Sequence, residues 1–255
     1  TTSRNFVNKL WNISRYVLSI EEPPSRELTL RTPADHWIIE RLERTIQDTT
    51  RHLEDYNLGL ACDTLREFTI DAFADWYIEA HKHAPNPTLL RFILETTLKL
   101  WHPFIPFVTE AIWSHLGKDS LLLVTSWPEA LPLSSDRSET QLFEDIQMIT
   151  TRLRHVRATY RLAPAQTLSV TLVSDQAPHY QSMLAILSAL SRSEYTLAQT
   201  LPDDIDGALR IIEPGFTLLV ALQDVVDFAQ EKLRLEKEVL ATENHLSSLS
   251  QRLRD

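Results

Sequence analysis

From Arg4 to Leu18 apolar residues recur with a helical period. At about 100° per residue, Phe6, Leu10, Ile13 and Val17 fall on one side, and Val7, Trp11 and Leu18 widen it. Asn5, Asn8, Lys9, Asn12, Arg15 and Tyr16 gather on the other side, within a sector of roughly 120°. A solvated helix face ordinarily mixes Glu with Lys in i,i+4 pairs. This face has no acid. It offers amides that donate and accept, two cations and an aromatic plane, the groups that read unstacked bases and phosphates of single-stranded RNA.

The helical period returns after a break. Thr32-Pro33-Ala34-Asp35 reads as a helix start, with Thr32 as N-cap, Pro33 at the first helical position and Asp35 in the first turn. Ile38, Leu42, Ile46 (or Thr45), Thr49 and Leu53 mark the buried stripe, and the helix ends near Tyr56-Asn57. A third helix is predicted from Leu58 to His83, burying Leu65, Phe68, Ala72 and Trp76, until Pro85 and Pro87 break it. A fourth runs from Thr88 to Trp101 on Leu89, Phe92, Ile93, Thr96 and Leu100. Pro103 and Pro106 interrupt the pattern, and a fifth helix closes at Leu116 with Gly117 as its stop. This much predicts an antiparallel bundle of about five helices.

Beyond the bundle the pattern shortens. Residues 121–127 read as extended and Pro128 to Ser138 as a linker. A helix from about Glu139 to Tyr160 opens a second part. Alternation over Thr167–Val173 predicts a strand, Pro178–Leu190 a helix, and Leu209–Ile212 and Phe216–Leu222 short strands. The tail changes period again. Val225, Lys232, Val239, Leu246 and Leu253 recur at seven, with Phe228, Leu235, Thr242 and Leu249 at the paired position. The seam reaches Asp255 with no returning helix, which reads as a coiled coil cut before its partner strand. The predicted fold is mainly α: a helical bundle at 1–127, a linker at 128–138, a small α/β subdomain at 139–223, and the first strand of a coiled coil at 224–255.

Composition narrows the chemistry. A length of 255 residues is enough for one large or two ordinary domains with real cores. Only four glycines are present, which argues against Gly-rich phosphate loops. The single cysteine, Cys62, excludes an internal disulfide and any Cys-based zinc site, and reads as small core packing. No apolar stretch reaches the ~18–20 residues that span a bilayer, and the N-terminus lacks a signal-peptide layout. These features predict a soluble, cytoplasmic protein with no membrane partner. The net charge of −10 is unfavourable to indiscriminate RNA binding. Charge is local, however. Residues 1–20 carry Arg4, Lys9 and Arg15 against no acid, and residues 147–174 carry Arg152, Arg154, Arg157 and Arg161 against none. Arg154, Arg157 and Arg161 stand at i, i+3 and i+7. They suit a phosphate backbone together, or pairing with acids elsewhere in the chain.

Glu67, Asp71, Asp75 and Glu79 recur every four residues on one helix. A dimetal bundle would need Glu-x-x-His pairs on two helices, and His81 and His83 point to different faces, so the acids read as a face paired with Arg or Lys. No metal site is expected. His102, before Pro103, reads as a cap or core histidine.

Several of these segments resemble a known family. Arg4-Asn5-Phe6-Val7-Asn8-Lys9-Leu10-Trp11-Asn12-Ile13-Ser14-Arg15-Tyr16-Val17 resembles the motif that opens the anticodon-binding domain of valyl-tRNA synthetases, with Tyr16 where the family usually has Phe. Asp75-Trp76-Tyr77-Ile78-Glu79 resembles its D-W-Y-x-E stretch. Leu100-Trp101-His102-Pro103-Phe104-Ile105-Pro106-Phe107 resembles L-x-H-P-x-x-P-F, shared with sister synthetases. Ser126-Trp127-Pro128 closes the domain, and Phe216 to Asp227 resembles the lead-in to a C-terminal coiled-coil arm.

The resemblance implies a tRNA-binding, non-catalytic C-terminal portion of an enzyme that attaches valine to its tRNA. The parent, expected to be monomeric, would use ATP and Mg; no cofactor is expected in this chain. The implied anticodon-binding residues are Asn8, Lys9, Asn12, Arg15 and Tyr16, with Arg154, Arg157 and Arg161 as backbone contacts. One rival is a bundle that binds no RNA and assembles through its coiled coil, whose exposed seam invites self-association. Another is a carboxylate-rich metal enzyme. The acid-free first helix speaks against the first and the missing His ligand pairs against the second.

Overall fold

The computed structural model describes residues 2–21, 27–129, 131, 134–163, 165–202, 207–223, 226, 236–237, 239–243 and 246. The chain divides into two compact units, Thr1–Gln147 and Met148–Asp255.

The first unit is helical. Helix α1 (Thr2–Leu18) is followed by α2 (Pro33–Glu54), whose N-cap Thr32 accepts from the Asp35 amide, as its sequence predicts. Helix α3 (Leu58–Glu67) continues into a π-helical segment (Phe68–Tyr77) and then α4 (Ile78–His81). Helix α5 (Pro87–Trp101) starts on an Asn86 cap, and α6 (Pro106–Ser114) ends before Gly117, which takes φ +68. Asp35 and Arg41 on α2 meet Tyr77 and Glu67, while Lys9 and Tyr16 on α1 meet Asp75 and His81. Leu10, Ile13 and Val17 seat α1 in the core beside α5, α6 and the π segment.

The π segment is the main departure from the expected periodicity. Its Ile78 amide reaches back five residues to the Phe73 carbonyl. That wider step buries Phe73 and Tyr77 completely and leaves the anticipated Trp76 only half-buried. π-Helical turns are rare in helices and often mark functional places. Here the segment carries Tyr77 onto Asp35, which is 1% exposed. The Tyr77 hydroxyl donates to Asp35 Oδ1 at 2.7 Å, and the Arg31 amide and Asn86 Nδ2 donate to Oδ2 at 2.9 Å each. A buried carboxylate tolerates desolvation only when its lone pairs are so occupied. Burial and the Asp35 charge push the Tyr77 phenol well above its usual range.

Residues 121–127, expected to be extended, hold a 3-10 turn at Leu122–Val124 instead. The Glu110 carboxylate organises it by accepting from the Leu122 and Leu123 amides at 2.9 and 3.3 Å. Helix α7 (Arg137–Thr159) begins two residues earlier than expected, and its first half belongs to the helical unit. Phe143 packs against Trp37 with centroids 5.1 Å apart, and the Arg137 guanidinium reaches Glu40.

The second unit is α/β. Strand β1 (Leu168–Val173) leads through α8 (Ala177–Tyr180), a 3-10 turn and α9 (Leu184–Ser191) into β2 (Ser193–Ala198). Strands β3 (Ala208–Glu213) and β4 (Phe216–Ala221) form a hairpin across Pro214-Gly215, with Gly215 at φ +91. The order is β2-β1-β4-β3, with β1 parallel to β2 and antiparallel to β4. The sequence pattern misses β2, which is separated from the end of α9 by a single residue. Arg192, at φ +53, makes that turn, a conformation usually left to glycine or asparagine. Of the heptad seam, residues 225, 228, 232, 235, 249 and 253 lie outside the described residues. Val239, Leu240, Thr242 and Leu246 are helical.

Candidate nucleic-acid interface

Helix α1 turns one arc outward. Asn5, Asn8, Lys9, Asn12 and Arg15 are exposed and Tyr16 is half-buried, so the six residues predicted for one face occupy one face. Among the described residues, the side chains of Asn8, Asn12 and Arg15 make no hydrogen bond. The helix satisfies its own backbone, and its anchoring side chains point the other way, so these donors and acceptors are unspent. Ser14, on the buried side, donates to the Leu10 carbonyl at 2.9 Å.

Lys9 and Tyr16 are held from the neighbouring helix. Lys9 Nζ lies 3.0 Å from Asp75 Oδ1, both side chains being about half exposed (44% and 53%). An exposed pair of this kind contributes about 0–1 kcal/mol, so a phosphate can replace the carboxylate at little cost. The Tyr16 ring meets His81 edge-on at 6.4 Å and 88°, with a long 3.5 Å contact from its hydroxyl oxygen to Nδ1. Lys82 Nζ stands 5.9 Å from the Tyr16 centroid and 2.6 Å from Glu79. Burial raises the Tyr16 pKa, Lys82 lowers it and Glu79 adds to the rise. His81 is 3% exposed and its Nε2 has no hydrogen-bond partner. Burial lowers its pKa, with Asp35 opposing, and a neutral imidazole backs the Tyr16 ring.

The acid stripe beside this face is a pairing surface. Glu67 binds Arg41 at 2.9 Å, Asp75 binds Lys9, and Glu79 binds Lys82. Among the described residues no cluster of three or more His, Cys, Asp or Glu could hold a metal. His102 Nδ1 contacts Thr109 Oγ1 at 2.9 Å at the end of α5, the structural role expected of it. Cys62 is half-buried rather than fully packed in the core, and burial raises its thiol pKa, with the Asp63 charge adding to the rise.

The α7 cations are placed differently from their predicted face. Arg157 points into its own unit, donating to the carbonyls of Ser191 (3.3 Å), Gln166 (2.6 Å) and Arg192 (2.5 Å). Burial, then the Arg192 charge, lowers its pKa. Arg152 pairs with Glu213. Arg161 lies past the end of α7 at φ +52, so the i, i+7 relation to Arg154 does not hold in space. Arg154 and Arg161 remain exposed.

Sequence reasoning missed Trp11, assigned to the apolar side but 39% exposed and edge-on to His115 at 6.4 Å and 86°. It lies at the border of the helical wheel, about 40° from Arg15 at ~100° per residue. That position is the signal that could have marked it. His81 and Lys82, the residues that hold Tyr16, carry no sequence signal beyond following Asp75-Trp76-Tyr77-Ile78-Glu79.

Residues 35–172 match the family described as the anticodon-binding domain of tRNA ligase. The valine–tRNA ligase of Carboxydothermus hydrogenoformans is 33% identical over 273 residues, covering 98% of this chain and 30% of that protein. That of Mycolicibacterium paratuberculosis is 32% identical over 265 residues, covering 98% and 29%, and that of Geobacillus stearothermophilus 32% over 254, covering 92% and 29%. The chain thus spans about 30% of the length of the curated relatives it matches. No described helix is long and apolar enough to cross a membrane. More than half of the chain lies in the matched segment, and it belongs to the family of anticodon-binding domains of tRNA ligases.

Proposed function

We propose that this chain is the anticodon-reading, non-catalytic C-terminal portion of a cytoplasmic valine–tRNA ligase, with valine tRNA as its partner. The observation that carries this is the unspent, acid-free face of α1. Tyr16 offers a ring on which an unstacked base stacks. Asn8 and Asn12 supply amides for base edges, and Lys9 and Arg15 supply cations for phosphates or base acceptors. Arg154 and Arg161, both exposed, extend the electrostatic contact to the tRNA backbone, while Arg157 is turned into its own unit. The parent enzyme supplies valine activation with ATP and Mg elsewhere, and the heptad-patterned tail belongs to an arm that touches tRNA.

The test is titration of the chain with a valine-tRNA transcript, the same transcript with its anticodon specificity bases changed, and an isoleucine-tRNA transcript, at two salt concentrations. Preference for the valine anticodon is expected, and Tyr16→Ala should weaken it by about 1–3 kcal/mol. Equal binding to all three would remove anticodon reading from this chain. Absence of binding at both salts would favour a bundle that assembles with protein through its coiled coil.

A further inference from the structure

The exposed arc of α1 is bordered by two aromatic side chains, and the proposed function uses only one. At about 100° per residue Trp11 lies about 140° from Tyr16, with Arg15, Asn8 and Asn12 spaced between them. Both aromatics are braced the same way. Tyr16 meets His81 edge-on, and Trp11 meets His115 edge-on, each with centroids 6.4 Å apart. Trp11 is nevertheless 39% exposed, whereas Leu10, Ile13 and Val17 of the same helix are 4% or less. Burial therefore does not account for its size, and the perpendicular contact with His115 covers at most one face of the indole, leaving the other for an occupant.

An open cleft of about 640 Å³ lies beside it, walled by Trp11, Arg15, Leu18, Ile112 and His115. The two serines at its rim are committed to the helix: Ser14 donates to the Leu10 carbonyl and Ser19 to the Tyr16 carbonyl. The polar groups left for an occupant are the Arg15 guanidinium and the His115 ring. The cleft thus combines an aromatic face, two aliphatic side chains, one fork of donors and one imidazole. An acidic side chain would use Arg15 and leave the indole face empty. An aliphatic chain would leave Arg15 unused. A planar heteroaromatic ring with acceptors on its edge uses all of them, by stacking on Trp11 and accepting from Arg15.

We propose that Trp11, Arg15 and His115 form a second base-binding cleft, which takes an unpaired nucleobase of the same RNA strand whose other base stacks on Tyr16. This rests on the RNA-binding reading of α1. Arg15 stands between the two aromatic sites on the wheel and serves both. The two rings then grip the strand from either border of one helix, and the amides between them face the nucleotides in the middle.

The experiment is titration of the full chain with the anticodon stem-loop of valine tRNA, intact and with each loop nucleotide made abasic in turn. The protein is used as wild type, Trp11→Ala, Trp11→Leu, Trp11→Phe and Tyr16→Ala. Trp11→Leu keeps an apolar side chain at the helix border and removes only the aromatic plane, so a folded variant is compared even if Trp11→Ala is unstable. Loss of one stacked base is worth about 1–3 kcal/mol, so Trp11→Ala and Trp11→Leu are expected to lose about 5- to 150-fold in affinity, and Trp11→Phe about threefold or less. One abasic position should cost wild type the same factor and cost Trp11→Leu nothing further, and it should differ from the position so coupled to Tyr16. Wild-type affinity in Trp11→Leu beside weakened Tyr16→Ala would overturn the cleft and leave the RNA reading standing. Coupling of both residues to one nucleotide would also overturn it. The reverse outcome, Tyr16→Ala silent and Trp11→Leu weakened at its own position, would keep the cleft and remove Tyr16. Failure of every RNA to bind would overturn both.

Discussion

Helix α1 and the C-terminal half of α7 look alike in the sequence: each is an acid-free run carrying several cations. In the fold they part. On α1, Asn8, Asn12 and Arg15 face outward and hold no partner among the described residues, and Lys9 is tied only to an exposed carboxylate. On α7, Arg157 is consumed by three carbonyls of its own unit and Arg152 by Glu213. Both helices bury an apolar face, so burial does not distinguish them. What differs is the neighbouring backbone. Arg157 lies beside the α9–β2 turn and the approach to β1, where three carbonyls converge; Ser191 and Arg192 also accept from the Ser193 hydroxyl and the Leu168 amide, and Gln166 accepts from Arg157. A guanidinium with five donors suits such a convergence well. Local charge in a sequence therefore marks where cations are, and the carbonyl inventory of the surrounding fold decides whether they remain available.

The largest effect expected from this contrast is on stability. Arg157→Ala should destabilise the second unit by about 2–3 kcal/mol, because hydrogen bonds from a charged donor to three carbonyls are lost and the Gln166 carbonyl loses its donor. Urea unfolding followed by far-UV circular dichroism measures it. Unchanged stability with weakened RNA binding would place Arg157 with the α1 residues and dissolve the contrast.

A smaller effect concerns pH. His81 is held below its usual 6.5 by burial, so its neutral form is the folded one and the unfolded chain takes up the proton first. The resulting stabilisation is present in full above pH 6.5 and is lost as pH falls from there through the lower folded value. Urea midpoints at pH 7.5 and 5.5 should therefore differ more for wild type than for His81→Gln. Equal differences would show that the imidazole behind Tyr16 does not titrate with folding.

The smallest stability effect belongs to Lys9→Ala, within about 1 kcal/mol because its ion pair is exposed. Its consequence should appear instead in the salt dependence of tRNA binding, whose slope should fall by about 1. An unaltered slope would mean that Lys9 stays with Asp75 in the complex.

Much of the fold was legible because its signals are local. Thr32-Pro33 starts α2 through a side-chain cap and a fixed φ, and Gly117 stops the segment after α6; Pro87, read only as a breaker, is also the first residue of α5, capped by Asn86. The polar arc of α1 followed from period alone. What escaped depends on distant partners or on unusual local geometry. Strand β2 is recognisable only through its pairing with β1, and its entry needs Arg192 in a left-handed conformation. The π segment cannot be read from a 3.6-residue wheel, which buries Trp76 in place of Phe73 and Tyr77. Arg157 looked like a phosphate ligand because carbonyls are invisible to a count of charges. Trp11 was misplaced because a wheel shows direction and not the depth of the neighbouring helix.

The five-residue hydrogen-bond step of the π segment also sets how this domain can change length. Each residue added to or taken from an α-helix turns everything beyond it by about 100°. Removing one residue between Phe68 and Tyr77 would let the segment relax to the ordinary period, a gain for its own hydrogen bonds. It would also swing Tyr77 off Asp35 and His81 from behind Tyr16. The wider winding therefore works as a phase setting, and the segment tolerates substitutions far better than insertions or deletions.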